Sequence, residues 1–137
     1  MGNLDYDWTF YSLDGGENSF RDFEGQVIFL TLWATRFGTC QSEMPGLQRL
    51  YDSMWDTGVA FLLLSEQEGN MVQEFMDTNG YTFPTYVYEK KLPDVLRTDT
   101  CPTTFIIDRK GSIVFSHVGT ARWDAQECKH FLYHLLQ

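Results

Sequence analysis

The sequence predicts an α/β fold in which helices flank a central mixed β-sheet on both faces, with a short N-terminal β extension. Two nearly continuous apolar runs, Gln26–Trp33 and Val59–Leu64, are typical of strands covered on both faces. Further along, Thr103–Ile107 and Ile113–Val118 flank the turn Asp108–Gly111 and indicate a β-hairpin. Strands that alternate with helices, followed by a hairpin and a last helix, favour a mixed sheet between helical layers.

The composition of the chain restricts both its architecture and its partners. Its length fits one domain spanning residues 1–137, and 43% hydrophobic with 21% charged residues excludes disorder. The formal net charge of −9 argues against nucleic acid or an anionic membrane as a partner. No apolar run reaches the ~18 residues of a membrane-spanning helix, and Met1–Asp5 lacks the features of a signal peptide.

The first half of the chain predicts three strands and one helix. The alternating segment Trp8–Tyr11 indicates a short strand before the turn-forming residues Asp14–Gly16. The two apolar runs supply the next two strands. Between them, helical spacing relates four apolar residues, Leu47, Leu50, Tyr51 and Met54.

The second half predicts two helices around a strand and the hairpin. Asn70 and Gln73 resemble a capping pair that opens the first helix, and Gly80 is placed to close it. Tyr86–Tyr88 indicates a short strand. Asp124 and Glu127 are spaced to cap the last helix, whose apolar face carries Cys128, Phe131, Leu132 and Leu135.

The chain has three cysteines, and an odd number excludes a closed framework of disulfides. Cys128 falls on the apolar face of the last helix, where we expect it to pack in the core. Cys40 lies where the first long apolar run passes into a helix, in the segment LWATRFGTCQSEMP (residues 32–45). Cys101 begins a second motif, CPTTFIID (residues 101–108).

These motifs resemble the thioredoxin fold, specifically the TlpA/ResA-like thiol–disulfide oxidoreductases. The junction is similar to the family pattern W-A-T-W-C-x-x-C-x-x-E-x-P and matches it at Trp33, Ala34, Thr35, Gly38, Cys40, Glu43 and Pro45. The segment Cys101–Asp108 resembles the family's x-P-T-T-F-x-I-D strand, and Asp22–Val27 resembles the approach to its central strand. Because the three motifs occur in the family order, the resemblance implies a thioredoxin-like fold over nearly the whole chain.

The resemblance also implies a chemistry. In the family, the first cysteine at the helix tip attacks a disulfide as a thiolate, and the second resolves the mixed disulfide. The proline that corresponds to Pro102 is cis and faces these cysteines, where it leaves the backbone open to an extended substrate. The partner is a protein or peptide thiol or disulfide. Family members usually work outside the cytoplasm, which suggests an extracytoplasmic or periplasmic location.

The chain departs from the family pattern at the attacking sulfur. Phe37 occupies the position of the first cysteine, and Arg36 replaces the tryptophan before it. Since phenylalanine has no nucleophile, the ordinary dithiol cycle cannot run within this motif. The retained Cys40 corresponds to the resolving cysteine, and it is either a residual redox thiol or a buried residue that packs as a small hydrophobe.

Cys101 supplies a second sulfur, because in the resembled fold the residue before the cis-proline lies beside the cysteine motif. Cys40 and Cys101 are then distant in sequence and close in space. A disulfide between them requires Cα atoms roughly 4.4–6.8 Å apart. The alternative is that Cys101 only fills a small space beside Pro102.

Glu43 follows Cys40 by three residues and therefore points to a similar face of the helix. In the resembled enzymes this glutamate tunes the thiols and moves protons. The alternative is an acid in the first turn of the helix, which the helix dipole favours. Pro45 alone places the helix start near Ser42, whereas the resemblance implies a helix that begins near Gly38 and is kinked at Pro45, and we follow the resemblance.

Other candidate sites are weaker. Glu127, His130 and His134 share one face of the last helix, but one helix supplies too few ligands of matched geometry. We therefore expect a solvated face there, no bound metal and no cofactor. Peroxidase chemistry of the peroxiredoxin type is disfavoured, because Phe37 and Trp33 stand where such a site needs Thr or Ser and Pro.

Two functions are consistent with the sequence, and thiol redox chemistry is the one we favour. In that function Cys40 and Cys101 act as a non-standard couple, or one of them acts as a monothiol, with Glu43 beside them. This preference rests on two cysteines that are expected to meet at the ancestral site.

The other function is a catalytically inactive binding module that holds extended peptides. A groove beside Pro102 pairs with the backbone of the peptide. Phe37 and Trp33, which we expect to be exposed, are apolar anchors in this interpretation, and Arg36 is a further contact residue.

Overall fold

A computed structural model describes residues 2–137, which form a seven-stranded sheet and three α-helices. The strands are β1 (Thr9–Ser12), β2 (Glu17–Ser19), β3 (Val27–Leu32), β4 (Val59–Ser65), β5 (Thr85–Val87), β6 (Thr103–Ile107) and β7 (Ile113–Val118). The helices are α1 (Gly38–Met54), α2 (Gly69–Asn79) and α3 (Gln126–Leu136). Two short 3-10 helices span Phe20–Phe23 and Asp94–Leu96.

The sheet is mixed, as the sequence predicts, and its strand order is β2-β1-β5-β4-β3-β6-β7. The central strand β3 is parallel to β4 and antiparallel to β6. Every residue of β3 and β4 is buried, which explains why both strands read as continuous apolar runs. β1 and β2 pair with each other and extend the sheet beyond β5.

Helical elements cover both faces of the sheet, but the two faces differ. The three α-helices all contribute to the core on one face, through residues such as Met44, Val72 and Leu132. The other face is covered by the N-terminal segment and the two 3-10 helices. Its core includes Leu4, Trp8, Phe10, Phe20 and Leu96.

The helix α1 begins at Gly38 and contains Pro45, as the family resemblance implies. The amide of Gln41 donates to the carbonyl of Phe37 at 3.0 Å, which makes Phe37 the residue that caps the start of the helix. Among the helices of residues 2–137, none combines the length and the apolar character needed to cross a membrane.

Both capping predictions for the other helices are wrong. Residue 69 begins α2 after Glu68, and the Gln73 side chain donates to Asp77 at 2.9 Å instead of reaching back. Residue 126 begins α3 after Ala125, because the Asp124 carboxylate is held by Arg49 at 2.8 Å. The closing role of Gly80 is confirmed: the residue adopts a left-handed conformation with φ 70°.

A substitution at Phe20 tests how much the N-terminal segment that covers the second face of the sheet contributes to stability. Its ring is fully buried and lies 5.3 Å from the ring of Trp8 and 5.2 Å from that of Phe10. We expect Phe20→Ala to lower the free energy of unfolding by about 3–5 kcal/mol, because it leaves a cavity. The matched control is Phe37→Ala at a site that is 43% exposed, and urea denaturation measures both. Equal losses in the two variants would contradict this role of the cover.

Candidate functional site

The candidate site lies where β3 ends, next to the start of β6. Leu32 of β3 is paired with Thr103 of β6, so Cys101 lies close to the β3 end. The Cys101 sulfur is 3.4 Å from the Leu32 carbonyl oxygen. The chain then passes from β3 into α1, which brings Cys40 to the same place.

The structure brings Cys40 and Cys101 into contact. Their Sγ atoms are 3.3 Å apart, and both are free thiols. Cys40 is fully buried, whereas Cys101 is half-buried. Of the two sulfurs, Cys101 is therefore the one that a large reactant can approach.

The two thiols influence each other's ionisation strongly. The hydrogen bond from the Cys101 thiol is the main cause that lowers the pKa of Cys40 to about 7. The Ala34 amide and the charge of Arg36 act in the same direction, while burial and Glu43 oppose it. The same hydrogen bond, together with burial, raises the pKa of Cys101. The pair therefore shares one proton near neutral pH, with the negative charge on Cys40.

The position of Cys40 in α1 favours the same charge. Cys40 is the third residue of the helix, whose first turn exposes amide groups and the positive end of the dipole. A thiolate is both the nucleophile in disulfide exchange and the form that the helix start stabilises. The geometry therefore allows one sulfur to be ionised while the other keeps its proton.

Pro102 positions the second sulfur. The peptide bond between Cys101 and Pro102 is cis. Pro102 itself is buried, and its carbonyl accepts a hydrogen bond from the Gly119 amide at 2.8 Å. This carbonyl is therefore not free to pair with a peptide, and the exposed surface around it comes from its neighbours Cys101 and Val118.

Phe37 and Arg36 lie at the exposed tip of α1. The Phe37 side chain is 43% exposed, and the Arg36 guanidinium lies 4.8 Å from the centre of its ring. This distance is typical of a cation–π contact. An apolar ring and a cation therefore occupy the tip that an attacking cysteine occupies in the resembled family.

Trp33 is buried, so the prediction of an exposed Trp33 is wrong. The side chain is only 2% exposed, and its indole packs against Phe75 and Phe83. The indole N–H donates to the Thr85 hydroxyl at 3.3 Å. Trp33 turns inward because α2 and the segment before β5 supply an aromatic pocket for it. Its side chain therefore packs in the core behind the site and offers no anchor to a partner.

Glu43 is a buried acid that lies beyond the first turn of α1, so the alternative of a first-turn acid favoured by the helix dipole is wrong. The side chain is 4% exposed, and its Oε1 accepts from the Trp123 indole at 2.6 Å and the Ala121 amide at 3.2 Å. Its Oε2 has no hydrogen-bond partner in the described part of the chain. Burial raises the pKa of this carboxyl, although the two hydrogen bonds act against the shift.

Gln67 holds the segment that leads into α1. Its Oε1 accepts from the Thr35 amide at 2.7 Å, and its Nε2 donates to the Thr35 hydroxyl at 2.8 Å. The Ser65 hydroxyl in turn donates to Gln67 Oε1 at 3.0 Å. No local pattern in the sequence identifies this clamp, because its partners lie 32 residues apart.

Two adjoining cavities lie at this end of the sheet, and nothing in the sequence predicts either one. The smaller one has a volume of about 260 Å³, and its wall includes Phe37, Cys101 and Tyr88. The other, of about 570 Å³, shares Tyr88 and Glu66 with the first. For Tyr88 the sequence predicts only a place in a strand, since a tyrosine at a strand end carries no functional signal. Val118, which is 60% exposed near the cis-proline, carries none either, because a valine in an apolar run indicates only a strand.

The remaining candidates lie away from this site. Cys128 is half-buried, and burial raises its pKa to about 11, so it is a poor nucleophile. Glu127, His130 and His134 are exposed on α3. Within residues 2–137, no group of three or more acidic, histidine or cysteine side chains is arranged to hold a metal ion.

Comparison with known proteins agrees with this fold. The model of the AhpC/TSA family matches residues 3–116. The thioredoxin-like protein YneN of Bacillus subtilis is 33% identical over 118 residues, which cover 83% of this chain and 69% of that protein. The thiol–disulfide oxidoreductase ResA of Halalkalibacterium halodurans is 34% identical over 110 residues, which cover 78% of this chain and 62% of ResA.

Solved structures show the same fold. StoA from Bacillus subtilis superposes with a TM-score of 0.72 at 25% identity, covering 88% of this chain and 92% of StoA. A thiol:disulfide interchange protein DsbE from Chlorobium tepidum superposes with a TM-score of 0.83 at 20% identity, covering 100% and 99% of the two chains. With the family model matched over most of its length, the chain belongs to the AhpC/TSA family of thioredoxin-fold proteins, among relatives that are thiol–disulfide oxidoreductases.

Proposed function

We propose that this chain carries out thiol–disulfide exchange with a protein or peptide partner, using Cys40 and Cys101 as its dithiol. The observation that carries this proposal is the 3.3 Å contact between the two sulfur atoms. A disulfide requires the sulfurs to approach to about 2.05 Å, so a movement of little more than 1 Å suffices. The couple replaces the pair that Phe37 makes impossible within the helix motif.

Cys101 is the attacking sulfur in this mechanism. It is the more accessible of the two, and its sulfur lies 3.3 Å from that of Cys40, which can accept its proton. When a substrate disulfide R–S–S–R′ reaches the site, Cys40 takes that proton and Cys101 attacks. The S–S bond of the substrate breaks, a Cys101–S–R bond forms, and the electron pair leaves on R′S⁻.

Cys40 then resolves the mixed disulfide. It loses its proton and attacks the Cys101 sulfur, so that a Cys40–Cys101 bond forms and RS⁻ leaves. In sum, the pair loses two electrons and its one proton, and the substrate disulfide becomes two thiolates that take their protons from water. In the opposite direction, the oxidised pair accepts two electrons from a dithiol.

Glu43 is suited to take the proton in the second step. It lies one turn after Cys40 on the same helix, and its Oε2 has no partner in the described residues. Because burial raises the pKa of this carboxyl, its conjugate base is a better proton acceptor than an exposed carboxylate. A negative charge on Glu43 also disfavours a lasting thiolate on Cys40, which promotes bond formation.

Oxidation of the protein tests the couple directly. We expect mild oxidation to remove two hydrogen atoms from the intact mass and peptide mapping to join Cys40 with Cys101. The Cys128→Ser variant should behave in the same way, because its thiol lies outside the site. Cys40→Ser and Cys101→Ser should both lose the mass change and the reduction of added disulfides. Two thiols that stay free under oxidant would refute the couple.

The pH dependence of alkylation tests the shared proton. Only thiolates react with iodoacetamide, and in the unaltered chain the hydrogen bond to Cys40 and burial raise the pKa of Cys101, so its labelling should have a midpoint above the ~8.5 of a free cysteine. In Cys40→Ser the main cause of this shift is removed, so the midpoint for Cys101 should fall towards ~8.5. Peptide mass spectrometry between pH 5 and 10 measures both curves, and an unchanged midpoint in Cys40→Ser would contradict the proton sharing.

The second candidate function is a binding module without redox chemistry. The exposed Phe37 ring favours it, together with Val118, which is 60% exposed on the other side of Cys101. Apolar side chains at the tip of α1 and at the end of β7 suit contact with a peptide.

The variant Phe37→Cys separates the two functions, because it restores a dithiol motif with Cys40. For a binding module we expect disulfide reduction to be absent from the parent chain and strong in Phe37→Cys, with Phe37→Ser as the inactive control. For the redox couple we expect the parent to reduce disulfides already and to lose this activity in Cys40→Ser. An insulin-reduction assay measures all four proteins.

A further inference from the structure

Tyr88 is held rigidly beside the site. It follows β5 directly, and its amide donates to the Ser65 carbonyl at 3.0 Å. Its ring is packed at 5.5 Å from that of Trp8, and the side chain is only 9% exposed. The phenol therefore has a fixed direction, set by the core under the second face of the sheet.

Tyr88 lies on the wall of the cavity that Cys101 also lines. Tyr88 contributes to the wall of both cavities, whereas Cys101 and Phe37 line only the smaller one. Within the described chain, the Tyr88 hydroxyl forms no hydrogen bond, and its oxygen is not fully buried. It therefore remains open to a molecule in the cavity.

The other hydroxyl groups on the wall of the smaller cavity are already occupied. The Thr98 hydroxyl is 3.1 Å from that of Thr103 and accepts from the Thr100 amide at 3.1 Å. The Thr100 hydroxyl donates to Asp99 at 3.2 Å. Glu66, also on this wall, is an exposed acid that can only accept hydrogen bonds when ionised. Tyr88 is therefore the hydroxyl group on this wall that has a proton to share.

The size of the cavity brings the phenol and the Cys101 sulfur within reach of one reactant. Its volume of about 260 Å³ lies below the ~300–1,000 Å³ of sites for drug-sized ligands. A small disulfide that enters it can contact both Tyr88 and Cys101, because both residues line its wall. Burial, with the nearby charges of Glu66 and Cys101, raises the pKa of Tyr88 to about 12, so the phenol keeps its proton at the pH of thiol exchange.

We propose that the hydroxyl of Tyr88 donates a hydrogen bond to the sulfur that leaves when Cys101 attacks a substrate disulfide. This inference rests on the proposed exchange function and names a further catalytic residue for it. The substrate S–S bond breaks, the bond from Cys101 to the nearer sulfur forms, and the electron pair moves to the leaving sulfur. The phenol keeps its proton, and water protonates the thiolate after it departs.

The hydrogen bond has the greatest effect on leaving groups that carry charge poorly. Exchange is faster when the leaving thiol has a low pKa, because its thiolate is stable without help. An alkyl thiolate gains most from a donor, since hydrogen bonds to charged groups are the strong ones. An aromatic thiolate that delocalises its charge gains little.

Tyr88→Phe removes only the hydroxyl, and Tyr86→Phe is the matched control. Tyr86 lies two residues earlier in β5, and its ring packs on Phe10 at 5.2 Å, but it does not line the cavity of Cys101. We expect Tyr88→Phe to slow the reduction of hydroxyethyl disulfide about tenfold and to leave the reduction of dipyridyl disulfide nearly unchanged. Tyr86→Phe should leave both rates unchanged.

The outcomes separate this inference from the function on which it rests. If the unaltered chain reduces both reagents and Tyr88→Phe slows neither, or slows both equally, the role of Tyr88 is refuted and the exchange function stands. If the unaltered chain reduces neither reagent, both proposals are refuted.

A measurement on the unaltered chain guards against a Tyr88→Phe variant that does not fold. Across a series of disulfides, the rate should depend less steeply on the pKa of the leaving thiol than it does for a small free thiol in water. An equally steep dependence would refute the hydrogen bond.

Discussion

The antiparallel register between β3 and β6 determines where the two sulfur atoms lie. Leu32, the last residue of β3, pairs with Thr103, the first residue of β6. The segment that leads into α1 therefore begins close to Cys101, which lies two residues before Thr103. Both strands are fully buried, and a shift of one residue would turn every side chain to the opposite face. Such a shift would also move Cys101 by about 3.3 Å along the strand, which would separate it from Cys40. The packing of the sheet therefore holds together a contact that no local sequence spacing provides.

The second constraint is the amount of negative charge that the site can hold. Cys40, Cys101 and Glu43 lie in a buried environment, and a charge on Glu43 raises the pKa of both thiols. Arg36 is exposed and compensates only in part. The hydrogen bond between the two sulfurs favours a single negative charge on the pair. Burial raises the pKa of Glu43, which also limits the negative charge of the site.

The sequence was sufficient to predict those structural elements that depend only on residues close together in the chain. Continuous apolar runs predicted β3 and β4, and Gly80 predicted the end of α2, because each depends on burial or backbone conformation at its own position. The cap of α3 was not predictable, since Asp124 is held by Arg49, 75 residues away.

The candidate site shows the same division. The family resemblance identified Cys40, Cys101 and Glu43, but it could not predict that Trp33 turns inward, because the aromatic partners of Trp33 come from α2 and the segment before β5. The Trp123 indole that holds Glu43, the Gln67 clamp and the Tyr88 hydroxyl are likewise contributed by distant segments.

The cover of the second sheet face has a consequence for how the chain folds during synthesis. The Leu4 amide bonds to the Gly111 carbonyl at 2.8 Å, and the Ile113 amide bonds to the Gly2 carbonyl at 3.0 Å. Residues 2–4 therefore find their partners among residues 111–113, which are synthesised much later. Until then, this part of the cover cannot close, and the apolar surface under it stays open to water. Closing this face joins distant parts of the chain, so it belongs to the slow, late events of folding.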